Sequence, residues 1–358
     1  MEKRTGQSIR YLRTRDGVQI AWADAGRGPV LVKAANWLTH LEYEWESPVW
    51  RHWYRFFCEH FRFLRYDERG CGMTDWRVGE LTFERWVEDL EAVVDAAEVR
   101  EPFALLGMSQ GAPVCIAYAA RHPERVSRLV LYGGYALGWG KRGDEQGLRE
   151  YRAISELIRV GWGKENPSFR QVFTSRFVPG ATAEQMDWFN ELCRKTTSPE
   201  NAAELMEARA EIDVTGLLPR VRTPTLVIHS RDDVVVPIAQ GRLLASGIAG
   251  AQYVELDSRN HILLAHEPAW LRFQEKLLAF CGLDARARGE GAAFEALSSR
   301  EREILTLLTN GLSNAEIAER LALSEKTVRN HVTHLFDKLG VWTRAQAMVF
   351  ARDHGFRA

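Results

Sequence analysis

Phe103-Ala104-Leu105-Leu106-Gly107-Met108-Ser109-Gln110-Gly111-Ala112-Pro113-Val114 sets a serine between two glycines where an apolar run meets a helical one. The run Phe103–Leu106 reads as a buried strand. Ala112 to Arg121 reads as a helix, stopped at His122-Pro123. On such a strand-to-helix turn the serine backbone is strained, and the flanking glycines relieve the crowding. Five residues with two fixed glycines recur by chance, so the pentapeptide alone is weak evidence. The strand before it and the helix after it make it specific.

The alternation continues on both sides. Residues 7–14 and 17–24 predict a β-hairpin around Asp16-Gly17. Val30-Leu31-Val32 and Phe61 to Tyr66 predict two strands separated by a Trp-rich helical stretch, and a helix is expected from about Thr82 to Ala97. Val126–Tyr132, Thr225–His229 and Gln252–Leu256 complete the strands. Strands alternating with helices at this spacing predict a mostly parallel, doubly wound sheet. Between about Ala136 and Leu218 the pattern lapses into charged helical segments carrying Trp139, Trp162, Trp188 and Phe189, the mark of a helical cap over the sheet's C-terminal edge.

An elbow serine needs an acid and a base further along the chain. His229-Ser230-Arg231-Asp232-Asp233-Val234-Val235-Val236-Pro237 supplies the acid just past a strand, and Ser258-Arg259-Asn260-His261 supplies the base. With these segments the chain resembles the α/β-hydrolase superfamily from about residue 8 to 282. The resemblance implies Asp233 rather than Asp232 as the acid. It implies His261 rather than His266 as the base, because an apolar run and Glu267-Pro268 follow it. Tyr66 to Asp75 is similar to that family's D-x-R-G-x-G-x-S-D loop, with Thr74 in place of serine. Ser109, Asp233 and His261 are then the implied catalytic triad.

One position departs from the family. Its members carry His-Gly after the strand near residue 32, where the next backbone N–H forms half of an oxyanion hole; this chain has Ala35-Asn36-Trp37. Asn tolerates left-handed backbone better than other non-glycine residues, so the turn is expected to survive at Asn36, with Trp37 and Gln110 donating their N–H groups. Losing one oxyanion donor costs roughly 10² to 10³ in rate, which predicts weak or no turnover. His229, His40 and His266 read as structural, since no second ligand stands at metal-site spacing. No metal and no cofactor are expected.

The last sixty or so residues change character. Asp284 to Phe294 begins small and polar and reads as a linker. Ser298 with Glu301 forms a capping-box pattern ahead of Ile304, Leu305, Leu307 and Leu308, and Gly311 ends that helix. Ser313 or Asn314 caps a second helix, Ser324 caps a third running to Leu339, and Gly340 stops it. The second and third, joined by Ala322-Leu323-Ser324, read as a helix-turn-helix. Leu297 to Gly355 closely resembles the C-terminal DNA-binding domain of LuxR-type transcription regulators, on Ser-x-Arg-Glu, Gly-x-Ser-Asn-x-Glu-Ile-Ala and Ser-x-x-Thr-Val-x-x-His. That resemblance implies that the third helix enters the major groove.

Helical spacing then sorts its residues. Val328, Val332 and Leu335 share the core face, leaving Lys326, Arg329, Asn330 and Thr333 opposite. Arg reads guanine and Asn reads adenine bidentately, while Lys326, Thr327 and Lys338 are placed for phosphates. From Ser324 to Arg352 five Lys/Arg stand against two Asp/Glu. A fourth helix, Thr343 to His354, is expected to expose Ala347 and Phe350 for pairing with a second copy.

Composition bounds the rest. The 358 residues carry a net charge of −1, 46% hydrophobic and 27% charged residues, so the molecule as a whole is not an electrostatic nucleic-acid binder. Five cysteines without a C-x-x-C pair suit a reducing compartment. With no membrane-length apolar stretch and no leader pattern, a cytoplasmic location is expected. No G-x-x-x-x-G-K-[ST] is present, which argues against control by nucleotide.

The organisation expected is an α/β-hydrolase-like ligand-sensing domain over 1–283 (cap about 136–218), a linker over 284–294, and a helix-turn-helix domain over 295–358. The expected function is transcription regulation by a homodimer on a palindromic double-stranded operator. The ligand would be a small apolar or aromatic ester, lactone or acid. The alternative is a serine esterase or lactone hydrolase whose DNA-binding module only localises or autoregulates it.

Overall fold

The computed structural model describes residues 6–283, 294, 297–341, 343–353 and 356. The chain divides into two compact units, Met1–Leu277 and Leu278–Ala358.

In the first unit β1 (Ser8–Arg13) and β2 (Gln19–Gly26) form an antiparallel hairpin, with Arg13 opposite Gln19 and Gly17 at φ +90° in the turn. β3 (Val30–Lys33) follows, then helices α1 (Leu41–Trp45) and α2 (Arg51–His60), and β4 (Arg62–Tyr66). Trp53, Tyr54, Phe56 and Phe57 of α2 are buried, which is why this short helix packs firmly. α3 (Phe83–Ala96), capped by Thr82, leads to β5 (Phe103–Met108), α4 (Gly111–Arg121) and β6 (Val126–Tyr132). β5 is buried along its whole length, as a central parallel strand covered on both faces must be.

Four helices are then inserted: α5 (Glu145–Gly161), α6 (Ser168–Phe177), α7 (Ala183–Thr196) and α8 (Pro199–Ala210). They are the expected cap. β7 (Thr225–Ser230), α9 (Ile238–Gly247), β8 (Gln252–Leu256) and α10 (Pro268–Cys281) complete the alternation. The sheet has eight strands in the order β1-β2-β4-β3-β5-β6-β7-β8, and every pairing from β4 to β8 is parallel. The mostly parallel, doubly wound reading holds. Ligands in such sheets bind beyond the carboxyl ends of the strands. The loops after β3, β5, β7 and β8 carry Trp37, Ser109, Asp233 and His261.

The second unit holds α11 (Ser299–Thr309), α12 (Asn314–Arg320), α13 (Glu325–Leu339) and α14 (Arg344–Asp353). Ser298 with Glu301, and Ser313 with Glu316, make full capping boxes. Gly340 ends α13 in the left-handed conformation, φ +67°. Ile304, Leu305, Leu308, Ile317, Val328, Val332 and Leu335 form the core.

Two expectations are corrected here. Phe294, assigned to the linker, belongs to the C-terminal core, its ring 4.7 Å from Phe356 and 6.0 Å from Phe350. The rest of 284–294 lies outside the described residues. Ala347 is fully buried and Phe350 half-buried against Phe294, so neither is offered for pairing. Among the described residues, the large apolar side chain that α14 exposes is Val349. His354 lies outside the described residues.

Candidate active site and nucleic-acid interface

Ser109 sits at φ +52°, the left-handed region that L-residues other than Gly, Asn and Asp seldom adopt. The turn is held by its own backbone: Ser109 N–H donates to the Tyr132 carbonyl at 2.9 Å, and Ala112 N–H donates to the Ser109 carbonyl at 3.0 Å. A Cβ on Gly107 would stand 2.6 Å from Ala112 Cα, so only glycine lets the helix approach so closely. The hydroxyl therefore stands at the N-terminal end of α4, where the helix dipole favours negative charge.

Asp233 and His261 are joined in the structure. His261 Nδ1 and Asp233 Oδ2 are 2.6 Å apart, and Asp233 Oδ1 accepts from the Val235 and Val236 N–H groups at 2.8 and 3.0 Å. Burial alone would raise the Asp233 carboxyl, but the adjacent His261, its hydrogen bond, His229 and the backbone donors together hold it below the ordinary range. Asp232 and His266 are exposed. His229 is wholly buried, its Nε2 2.8 Å from the Val236 carbonyl, so it braces the loop that presents Asp233. Ser109 and His261 line one small cavity together with Asn36, Trp37 and Phe177.

The oxyanion turn differs from the expectation. Its left-handed residue is Leu38, at φ +62°, and not Asn36. Asn36 is instead fixed by its side chain: Oδ1 accepts from the Lys33 ammonium, and Nδ2 donates to the Trp37 carbonyl at 3.3 Å. Lys33 is buried; loss of hydration pulls its ammonium down to about 8, although Glu44 opposes the shift. Among the described residues neither Trp37 nor Gln110 N–H has a protein acceptor. Both residues line the larger cavity with Ser109.

That cavity spans about 560 Å³ when the open solvent at its mouth is counted. Cap and sheet loops build it together. Tyr151, Ile154, Phe173, Phe177 and Met206 come from the cap, and Trp37, Val235 and Val236 from the loops. Trp37 packs on Trp162 and Phe173 at 5.8 and 5.7 Å, and Phe177 meets the His261 ring edge-on at 5.3 Å. The cap is also hydrogen-bonded to the loops of the acid and the base. The Phe177 carbonyl accepts from His261 N–H at 2.9 Å, and Arg176 donates to the Val234 carbonyl at 2.8 Å. The cap is thus tied directly to the loops that carry Asp233 and His261.

Sequence reasoning missed the charged lining: Arg142, Arg176 and Arg209 face this cavity. Arg209 is buried and donates to Glu68, 141 residues away in sequence, at 2.7 Å. No local pattern signals such a pair.

On α13, Lys326, Arg329, Asn330 and Thr333 are exposed on one face, while Val328, Val332 and Leu335 are buried on the other. The Arg329 guanidinium rests on Glu325 one turn back, 3.2 Å away and exposed, a weak restraint. Thr327 is committed locally: its N–H donates to Ser324 Oγ at 3.1 Å and its hydroxyl pairs with that oxygen at 2.7 Å. Lys338, expected at a phosphate, is paired with buried Glu301 at 2.7 Å and ties α13 to α11.

Residues 51–268 match the family described as serine aminopeptidase, S33, and residues 295–351 match the bacterial regulatory proteins of the luxR family. The AB hydrolase superfamily protein YisY of Bacillus subtilis (strain 168) is 26% identical over 257 residues, 70% of this chain and 91% of that protein. The "Probable transcriptional regulatory protein SgaR" of Hyphomicrobium methylovorum is 27% identical over 193 residues, 54% of this chain and 68% of that protein. Among solved structures, a hydrolase from Pseudomonas aeruginosa PA01 has a TM-score of 0.63 at 27% identity, spanning 77% of this chain and 98% of that one.

Proposed function

We propose, for a chain that belongs to the serine aminopeptidase S33 family of α/β hydrolases and carries a luxR-family DNA-binding domain at residues 295–351, that it is a transcription regulator whose hydrolase-like domain senses a small ligand and turns it over weakly or not at all. The observation that carries this reading is one chain's possession of both an aromatic-walled cavity at Ser109 and an exposed recognition face at Lys326, Arg329, Asn330 and Thr333. A DNA-reading domain has little use on a metabolic enzyme. The likeness to SgaR supports the reading further. A match of 193 residues is longer than all of this chain beyond residue 294, so it reaches into the hydrolase part.

The ligand proposed is an apolar or aromatic ester, lactone or acid, in keeping with the aromatic cavity walls. Ser109, Asp233 and His261 are the proposed triad, with Trp37 and Gln110 as oxyanion donors. DNA contact falls to Lys326, Arg329, Asn330 and Thr333. Thr327 and Lys338, each also bonded within the domain, are the proposed phosphate contacts. A homodimer on a palindromic operator follows from the way helix-turn-helix proteins pair two half-sites.

A second reading, a serine esterase or lactone hydrolase with a localising DNA module, is favoured by the left-handed Ser109 elbow and the Asp233–His261 pair. A reporter assay of wild type and Ser109→Ala, beside single-turnover kinetics on the same ligand, separates the two. A sensor keeps its response in the alanine variant, because binding needs no nucleophile. Rapid multiple turnover with a silent alanine variant would establish the enzyme instead.

A further inference from the structure

The cavity wall contains a buried cation with donors left over. Arg209 is 5% exposed, and Nη2 alone is spent on Glu68, at 2.7 and 2.5 Å from its two carboxylate oxygens. Its Nε and Nη1 are buried with no hydrogen-bond partner among the described residues. Gln110 Nε2 is in the same condition, and Gln110 lines the same cavity. The Arg209 guanidinium lies 4.5 Å from the Trp37 ring centroid and 5.3 Å from that of Trp86. Buried donors without acceptors cost free energy, most of all when charged. Three such atoms, each covered but carried by a side chain that lines one mostly apolar cavity, point to a missing acceptor.

The rest of the lining says which acceptor. Arg142 and Arg176 also line the cavity, and each donates to a backbone carbonyl, Leu137 and Val234. Arg176 reaches Glu150 only at 3.7 Å. Neither Asp nor Glu is among the lining residues. Glu68 neutralises one positive charge from behind the wall, and the surplus of cations remains. A planar carboxylate matches a guanidinium offering adjacent N–H groups, since the two make parallel charge-assisted hydrogen bonds.

We infer that the ligand of this cavity is an aryl or other apolar carboxylate, its acid group held by Arg209 Nε and Nη1 with Gln110 Nε2, and its apolar body among Phe173, Phe177 and Met206. This rests on the reading that the cavity takes a small ligand, and it selects the acid among the three classes proposed above. Arg209 is a binding and specificity residue on this account, supplied by the last turn of α8. A free acid has no leaving group for Ser109 to expel, which accords with a site that binds more than it cleaves.

The test is direct binding to the full chain in the absence of DNA, by calorimetry and tryptophan fluorescence. The probes are 3-phenylpropanoate and 4-phenylbutanoate, each against its primary amide. The wild type should bind each carboxylate about tenfold or more tightly than the amide, a difference of about 1.4 kcal/mol. Arg209→Gln leaves Glu68 buried and unpaired, so the informative variant is Glu68→Gln/Arg209→Gln, which removes both charges together. It should lose most of the preference for acid over amide, keeping only what Arg142 and Arg176 supply. Arg142→Gln and Arg176→Gln, outside the buried pair, should weaken the acid and spare the amide.

Equal affinity for acid and amide in the wild type, or failure of both series to bind, overturns the inference. So does a preference for acid that is undiminished in the double variant. Because no DNA is present, these outcomes leave the regulatory reading to its own test. An acid that binds as described without altering reporter output would sink that reading and leave this one standing.

Discussion

Ser109 at φ +52° and Gly107 beneath it form one strained device, and each is testable separately. In Gly107→Ala the new Cβ would fall 2.6 Å from Ala112 Cα, against backbone that cannot yield. The variant should lose about 1–3 kcal/mol of stability, read by denaturant unfolding, and should lose labelling by a fluorophosphonate probe. Unchanged labelling would show that the elbow does not depend on that close approach. The residues of this device were legible in the sequence because the motif is local and the acid and base follow in order. The turn at Asn36 was misjudged, since the sequence does not reveal that the chain would place its left-handed residue at Leu38 and tie Asn36 to Lys33. Arg209 was invisible for a different reason. Its meaning arises only when α8 folds back over Glu68 and Trp37.

Single helices carry two further predictions. Glu301 caps α11 and binds Lys338 of α13, and that ammonium, together with the cap donors of Ser298, lowers its carboxyl from 4.5 to about 2. A carboxyl depressed by folding stabilises fully above its unfolded value and loses that contribution as pH falls through the folded one. Glu301→Gln should therefore slow-exchange less well at neutral pH, and the gap from wild type should close between about pH 4.5 and 2. Hydrogen exchange of α11 and α13 amides, compared at each pH, reads this; a gap independent of pH would contradict it.

On the outer face of α13, Arg329→Ala should leave the fold intact, since only the exposed Glu325 contact is lost. Discrimination between operator and random DNA should fall by about 1–3 kcal/mol at the position that Arg329 reads. Undiminished specificity in competition binding assays would remove it from the recognition face. Helix starts in this unit were legible because Ser298, Ser313 and Ser324 cap by their own side chains. The outward face of α14 was not, because a short helix with apolar residues on several sides does not show which one packs. Phe294 settles it by covering Phe350.

For the whole molecule, the sum of charges is −1 while the recognition region is locally basic, so operator binding should be steeply salt-dependent and nonspecific binding weak. Light scattering of the full chain on its operator should give two copies per palindrome, and a single copy would contradict the dimer. The decisive measurement concerns linkage between the two units. The operator is isolated by selection with the full chain, and the small molecule is the one giving the largest shift in a thermal screen of esters, lactones and aromatic acids. The operator dissociation constant is measured with and without saturating ligand, and the ligand dissociation constant with and without operator. The account predicts that both change by the same factor, about fivefold or more, as reciprocity requires of coupled sites. An operator affinity that does not move at saturating ligand would contradict it.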